Sequence, residues 1–155
     1  MTGIRLLRVL VRETLAALSV AQEQALAALD RLPLMASDAD VFTADVFDLM
    51  VPWLEDVVDE DTRKRWSVAA KDLPLERVSL LGLTATQRKL NKDLLKQYIQ
   101  GGTGGRPLGK SGADDQPYIV ETSSTRYVLD GHHRLATEIL LGNVTASAKV
   151  YRDAT

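Results

Sequence analysis

The sequence contains no cysteine, and it has only two histidines among 155 residues. The absence of cysteine excludes disulfide bonds, thiolate metal sites and thiol catalysis, and it favours a cytoplasmic setting. No apolar run approaches the roughly 20 residues needed to cross a bilayer, so we expect no membrane association. The apolar start of the chain is interrupted by Arg5, Arg8 and Arg12. It lacks a small-residue cleavage site, and we expect no signal peptide.

Positive charge is missing from one long stretch of the chain. Between Leu32 and Thr62 there is no lysine or arginine, whereas nine acidic residues occur there. From Arg63 onward, fifteen basic residues stand against nine acidic ones, an excess of six. One interpretation is an acidic, solvated helix face. The other is a chain with two functional parts, of which the C-terminal part favours a phosphate-bearing partner.

Residues 1–71 are predicted to form a helical extension. Apolar residues recur at near-helical spacing up to Pro33, which should end the first helix. Residues 37–62 continue with a second apolar line that Pro52 should kink, made of Phe42, Val46, Leu49, Trp53 and Val57. A shorter helix should begin at Asp61. We therefore expect a helical hairpin whose long apolar stripes pack against another subunit, giving a homo-oligomer, or against a partner protein.

Residues 72–155 are predicted to form a small α+β domain with a mixed sheet. The expected order is strand, helix, strand, strand, helix, strand. The first helix should be capped by Asn91 and end at Gly101, and the second should be closed by Gly142. This unit of about 80 residues lies near the lower limit for independent folding. We expect the N-terminal helices to cover one of its faces.

The segment "GGRPLGKS", residues 104–111, fits the phosphate-loop pattern G-x-x-x-x-G-K-[ST]. The mechanism behind that pattern requires a strand before the loop and a helix after it. Here a predicted helix precedes the loop and a predicted strand follows, and Pro107 removes one amide donor. We therefore predict a mobile linker, from which Lys110 could still reach a phosphate held elsewhere.

Both histidines lie in "YVLDGHHRLAT", residues 127–137, where a predicted strand turns into a predicted helix. Gly131 permits a tight turn or a close ligand approach. The first amides of the helix have no partner inside it, and the helix dipole adds partial positive charge there. Arg134 adds a fixed charge and a planar fork of donors. Together these features favour an anionic ligand, and phosphate in particular.

Each of these residues also has a simpler structural interpretation. Asp130 would cap the helix, Arg134 and Glu138 would pair across one turn, and His132 would sit at the edge of the core. Adjacent histidines point about 100° apart on a helix, unlike the i, i+4 pair that holds zinc. We therefore expect no metal site formed by the histidines.

The string "YVLDGHHRLATEILLG", preceded by "PYIV", resembles the signature of the ParB/sulfiredoxin superfamily. "LTATQRKLNKDLLKQYIQ" resembles its first helix region, including the pair Thr86 and Gln87. The resemblance covers Leu75 to Arg152 and does not extend to residues 1–70. It implies a strand–turn–helix corner that binds nucleotide phosphates. By resemblance, the following residues belong to that corner and its neighbouring loop: Asp130, Gly131, His132, His133, Arg134 and Gln87.

The superfamily includes partition proteins, sulfiredoxins, free-serine kinases and nuclease-like proteins, and this sequence departs from several of them. Sulfiredoxin activity needs a reactive cysteine, which is absent here. No helix-turn-helix module of a partition protein is visible. The kinases have an acidic catalytic residue near the phosphate corner; the resemblance places Asp130 there, and Glu76 is a second candidate. Short relatives among phage genes accompany head or packaging proteins.

The sequence therefore predicts a ParB/sulfiredoxin-like protein that binds nucleotide or nucleic-acid phosphates, with nucleoside triphosphate hydrolysis or phosphotransfer as a further expectation. Mg²⁺ would neutralise the phosphates, and His132, His133 and Arg134 would hold them. Asp130, His132 and His133 are the predicted catalytic residues. Asp130 would orient the metal or the nucleophile. The alternative is a catalytically inactive phage virion or assembly protein that uses the helices as an interface. Its location would then be the virion rather than the cytoplasm.

Overall fold

The structure, a computed structural model, describes residues 20–35, 39–101 and 116–154. The helices are α1 (20–31), α2 (Glu60–Ala69), α3 (Lys92–Gln100) and α4 (His132–Leu140). The strands are β1 (Asp40–Phe42), β2 (Leu49–Met50), β3 (Leu75–Ser79), β4 (Leu83–Ala85), β5 (Lys89–Asn91), β6 (Tyr118–Glu121), β7 (Arg126–Asp130) and β8 (Thr145–Arg152). None of these described helices combines the length and apolar character that a membrane span requires.

Six of the strands form one mixed sheet in the order β2-β4-β7-β6-β8-β3. The pairs β2–β4, β4–β7 and β6–β8 are parallel, whereas β6–β7 and β3–β8 are antiparallel. A separate antiparallel pair joins β1 to β5. The predicted α+β class with a mixed sheet is therefore confirmed.

The large sheet is covered on both faces. Because successive side chains of a strand point to opposite faces, neighbours on β6 belong to different clusters. Ile119 packs in the larger core with Leu135 of α4. Tyr118 and Val120 pack on the other side with Trp66 of α2. Helix α4 is thereby anchored at the centre of the sheet, directly after β7, where the predicted corner lies.

Residues 39–59 do not form the second helix of the predicted hairpin, and that prediction is wrong. They form β1, the 3₁₀ turn Thr43–Asp45, β2 and the 3₁₀ turn Leu54–Asp56. The apolar residues predicted to be buried are partly in solvent, since Leu49, Trp53 and Val57 are about half exposed. Val41, Phe47 and Val58 are buried in their place.

Pairing with distant strands explains the difference. The backbone of β1 pairs with β5, and β2 pairs in parallel with β4. The amide of Val51 also donates to the carbonyl of Ala85 (2.8 Å). These hydrogen bonds satisfy the backbone without a helix, so tertiary pairing overrides a weak local periodicity. Of the first predicted helix, the part described is α1.

Contacts cross the predicted division at residue 71. Ala25 and Leu29 of α1, together with Val41 and Phe47, belong to the same buried cluster as Leu135. Strands β1 and β2 pair with strands that follow that division. The described residues on the two sides of residue 71 therefore share one hydrophobic core.

The predicted helices and strands after Pro74 are largely confirmed, but two further strands, β4 and β5, precede α3. "LERVSLLGL", residues 75–83, forms β3, a turn at Gly82 (φ 71°) and the first residue of β4. Asn91 caps α3, because its side chain accepts a hydrogen bond from the amide of Leu94 (2.8 Å). Gly142 follows α4 with φ 85°. The segment 104–111 lies outside the described residues.

Asp153 ties α2 to the sheet and carries a testable prediction. Its Oδ2 accepts hydrogen bonds from Trp66 Nε1 and Arg65 Nη2, both at 2.6 Å. Asp153→Ala would leave the buried indole N–H of Trp66 without this acceptor, so we expect a loss of about 2 kcal/mol in the free energy of unfolding. Urea denaturation measures it. Asp153→Asn keeps an acceptor and should lose less, and equal stability of wild type and Asp153→Ala would contradict the prediction.

Candidate functional site

The corner between β7 and α4 is built around Gly131. This residue has φ 80° and ψ 26°, a left-handed conformation that favours glycine. A Cβ atom added there would lie 2.6 Å from Cα of Pro117. The Gly131 amide donates to Oδ1 of Asp130 (2.8 Å). Glycine is therefore required twice, by the turn and by the close approach of Pro117.

The first turn of α4 has no side-chain cap. The first intrahelical bond runs from the amide of Leu135 to the carbonyl of Gly131 (3.0 Å). The amides of His132 and His133 precede that bond and have no partner within the helix. Because Asp130 accepts from Gly131 and not from the first helical turn, its predicted role as the helix cap is wrong. The dipole of α4 adds partial positive charge at this end.

Both histidines accept hydrogen bonds from a neighbouring loop. The amide of Thr86 donates to Nε2 of His132, and the amide of Asn91 donates to Nε2 of His133, each at 2.9 Å. The Thr86 hydroxyl also donates to the carbonyl of Val128 in β7 (2.5 Å). The two imidazoles therefore fasten the segment from Thr86 to Asn91, which ends in the short strand β5, to the start of α4. We call this segment the Thr86–Asn91 loop.

Burial keeps these imidazoles neutral. It lowers the pKa of His132 to about 4, with a smaller contribution from the charge of His133. Burial also lowers the pKa of His133, partly opposed by the nearby carboxylate of Asp40. An imidazole whose Nε2 accepts a hydrogen bond carries its proton on Nδ1. At neutral pH the histidines therefore hold the loop in place but add no formal charge to the corner.

Arg134 supplies a formal positive charge at the corner. It is only 8% exposed, and its Nη1 donates to Oε1 of Gln116 (3.1 Å). Gln116 precedes Pro117, the residue that packs against the Gly131 turn. The guanidinium is thereby held beside the end of the helix that carries partial positive charge.

All six residues predicted for the site line one cavity of about 190 Å³. The structure thus brings Gln87 of the preceding loop to the corner formed by residues 130–134. Three lining residues were not predicted, namely Leu94, Tyr98 and Gln116. Leu94 and Tyr98 could have been predicted from the apolar face of α3 to which both belong. No feature of the sequence points to Gln116, because its closeness to the corner depends on how β6 pairs with β7.

Two further concavities adjoin the corner. A cavity of about 330 Å³ shares Gln116 and Arg134 with it and extends along α4 and β8. A groove of about 1040 Å³ shares Gln87 and His133 with it and lies beyond the Thr86–Asn91 loop. Among the residues that the structure describes, no three or more His, Asp or Glu side chains group as metal ligands.

The corner thus combines a buried guanidinium, helix amides that precede the hydrogen-bond ladder, and one exposed carboxylate, Asp130. Neutral imidazoles hold its neighbouring loop. No protein-family model matches this chain, and neither does a curated protein or a solved structure. The function of the corner therefore has to be argued from its geometry and chemistry.

Proposed function

We propose that this chain is a ParB/sulfiredoxin-like protein that binds the phosphate groups of a nucleotide, or of a nucleic acid, at the corner between β7 and α4. One observation carries the proposal: the uncapped start of α4, the turn at Gly131 and the guanidinium of Arg134 all face the same small cavity. Helix amides and a guanidinium are the donors that proteins use for phosphate oxygens.

The sizes of the cavities favour a nucleotide over free phosphate. The corner cavity of about 190 Å³ is smaller than typical sites for whole ligands, which measure roughly 300 to 1000 Å³. The adjoining cavity of about 330 Å³ begins on Arg134 and Gln116. A nucleoside in that cavity would place its phosphates at the corner. Arg77, Thr145 and Ser147 would then offer it polar contacts.

The corner residues take different roles in this proposal. Arg134 and the amides of α4 bind the phosphate oxygens. His132 and His133 act as positioning residues, because they fasten the loop that carries Gln87. Among the described residues that line the cavity, Asp130 is the one acidic residue, so hydrolysis or phosphotransfer would depend on it.

The corner also fits a magnesium ion bound together with the nucleotide. In nucleotide sites Mg²⁺ is usually held by one or two carboxylates and by the phosphates themselves. Asp130 can supply one carboxylate, fixed at the turn by the Gly131 amide. Bound there, the ion would neutralise phosphate charge.

The alternative, an inactive virion or assembly protein, receives less support. It relied on a helical hairpin as its interface, and residues 39–59 contain no α-helix. What remains of it are half-exposed apolar side chains such as Leu49 and Trp53. An assembly role would also leave the converging donors at the corner without a use.

Replacing Arg134 tests the proposed function. We expect Arg134→Ala to weaken binding of the preferred nucleoside triphosphate by about 2 kcal/mol, roughly 30-fold, since a charged hydrogen-bond donor is lost. Titration calorimetry with ATP, GTP, CTP and UTP in the presence of Mg²⁺ measures it. Arg31→Ala, at the exposed end of α1, is the matched control and should bind like wild type. Lys110→Ala should change the affinity far less than Arg134→Ala.

Circular dichroism of each variant separates lost binding from lost folding. Arg134→Lys keeps the charge but not the planar fork, so we expect an intermediate affinity. Wild-type affinity in a folded Arg134→Ala variant would rule out the corner as the phosphate site. Wild-type protein that binds none of the four nucleotides at millimolar concentration would overturn the proposed function.

A further inference from the structure

A half-exposed tryptophan lies on one wall of the large groove. This wall, the Trp53 wall, consists of Pro52, Trp53, Leu54 and Glu55, and Met35 also lines the groove. Trp53 is 51% exposed, and nearby Val57 is 54% exposed. A large aromatic side chain left in water is uncommon on a closed surface and frequent where a partner binds.

Two carboxylates that pair with no residue in the described part of the chain follow this tryptophan in the sequence. Glu55 and Asp56 are exposed, and neither forms a salt bridge with any residue that the structure describes. The neighbouring acids have internal roles: Asp59 caps α2 by accepting from Thr62, and Glu60 pairs with Lys64 (3.2 Å). The Trp53 wall is therefore apolar and carries the negative charge of Glu55, and Asp56 adds a second negative charge next to it in the sequence.

The facing wall is the Thr86–Asn91 loop, which the two histidines hold. Its Lys89 pairs with Asp40 at 3.4 Å, so part of its positive charge is already neutralised. Arg88 is exposed on the same loop. Between the walls lie about 1040 Å³, more than a phosphate or a single side chain fills. The groove is thus an open channel with one fixed wall.

We propose that this groove binds a basic peptide segment of a partner protein. An arginine or lysine of the peptide stacks on the exposed face of Trp53, since cations are attracted to indole rings. A second basic residue pairs with Glu55 or Asp56, and an apolar side chain packs on Met35 and Leu54. Nucleic acid fits this wall poorly, because its phosphates would face unpaired carboxylates. The groove shares Gln87 and His133 with the phosphate corner, whereas Trp53 and Glu55, which carry this proposal, do not line the corner cavity.

Peptide binding to the full-length chain tests the proposal. The probe is a fluorescein-labelled synthetic peptide, (Lys-Leu-Leu-Arg)₃ amide, followed by fluorescence anisotropy at low and high salt. We expect Trp53→Ala to weaken binding by about tenfold or more. The double variant Glu55→Lys/Asp56→Lys should weaken it about tenfold and flatten its salt dependence. Emission of Trp53 should change on binding, whereas Trp66 is buried.

The controls are matched in chemistry and lie elsewhere on the chain. Val68→Ala removes another exposed apolar side chain, on α2, and Glu23→Lys reverses an exposed charge on α1. Both should bind the probe like wild type.

Three results would overturn the proposal. The first is no binding of the probe at millimolar concentration. The second is equal weakening by the groove variants and by the controls. The third is binding of an acidic peptide, (Glu-Leu-Leu-Glu)₃ amide, or of single-stranded DNA, that is tighter than the probe and lost in Trp53→Ala.

Discussion

Gly131→Ala should lower the free energy of unfolding by about 3 to 4 kcal/mol. A left-handed conformation costs an alanine about 1 to 2 kcal/mol, and forcing an extra carbon into packed structure costs about 1 to 3 kcal/mol. The added Cβ would lie 2.6 Å from Cα and 2.9 Å from Cβ of Pro117. Pro117 cannot easily move, because its carbonyl accepts from the amide of Lys149 (2.8 Å) and β6 begins at the next residue.

Gly142→Ala separates the two causes. Gly142 has φ 85°, and a Cβ atom added there meets nothing within 4 Å. Gly142→Ala should therefore lose only the cost of the left-handed backbone conformation, about 1 kcal/mol. Urea denaturation of both variants gives the difference that belongs to Pro117. Equal losses in the two variants would show that the close approach contributes nothing to stability.

Lowering the pH should destabilise the protein, because His132 is buried in its neutral form. The pKa of His132 is about 4 in the folded protein and 6.5 for an ordinary histidine. Between these values the unfolded chain binds more protons, so the free energy of unfolding falls as the pH decreases. The contribution is complete above pH 6.5 and is lost by about pH 4. Because His132 is only 4% exposed, we expect this loss to approach about 3 kcal/mol.

His132→Gln assigns that loss to one residue. Glutamine does not titrate, and its side-chain oxygen can accept the hydrogen bond from the amide of Thr86. Urea denaturation across pH 4 to 7 should therefore give a flatter profile for the variant than for wild type. The hydrogen-bonded carboxylates of Asp59 and Glu76, whose pKa values are lowered, titrate alike in both proteins and cancel. Parallel profiles would contradict a buried, neutral His132.

The sequence alone determined the local features of this protein. A glycine between a strand pattern and a helix pattern predicted the corner at Gly131. A capping residue before an apolar face predicted the start of α3 at Asn91. Apolar and β-branched residues next to the polar turn "TSST" predicted the strand at Tyr118–Glu121. Each of these features depends on backbone geometry within a few residues, which residue type and spacing report directly.

The resemblance to a known superfamily added the grouping of Gln87 with residues 130–134. The structure does place these residues on one cavity. Their chemistry at that cavity stays a proposal. Spacing along the chain could not have predicted this, because more than 40 residues separate the amides of Thr86 and Asn91 from the histidines that accept from them.

Only the tertiary structure decided the secondary structure of residues 39–59 and the protonation state of the histidines. An i, i+4 line of apolar residues is compatible with a helix, but β5 and β4 offer the backbone partners that make strands instead. Burial, with the ring of Phe47 packed against the imidazole, lowers the pKa of His132 and keeps it neutral, and the charge of His133 contributes less. Both outcomes depend on groups that are distant in sequence, and neither hydrogen-bond partners nor desolvation can be read from local pattern.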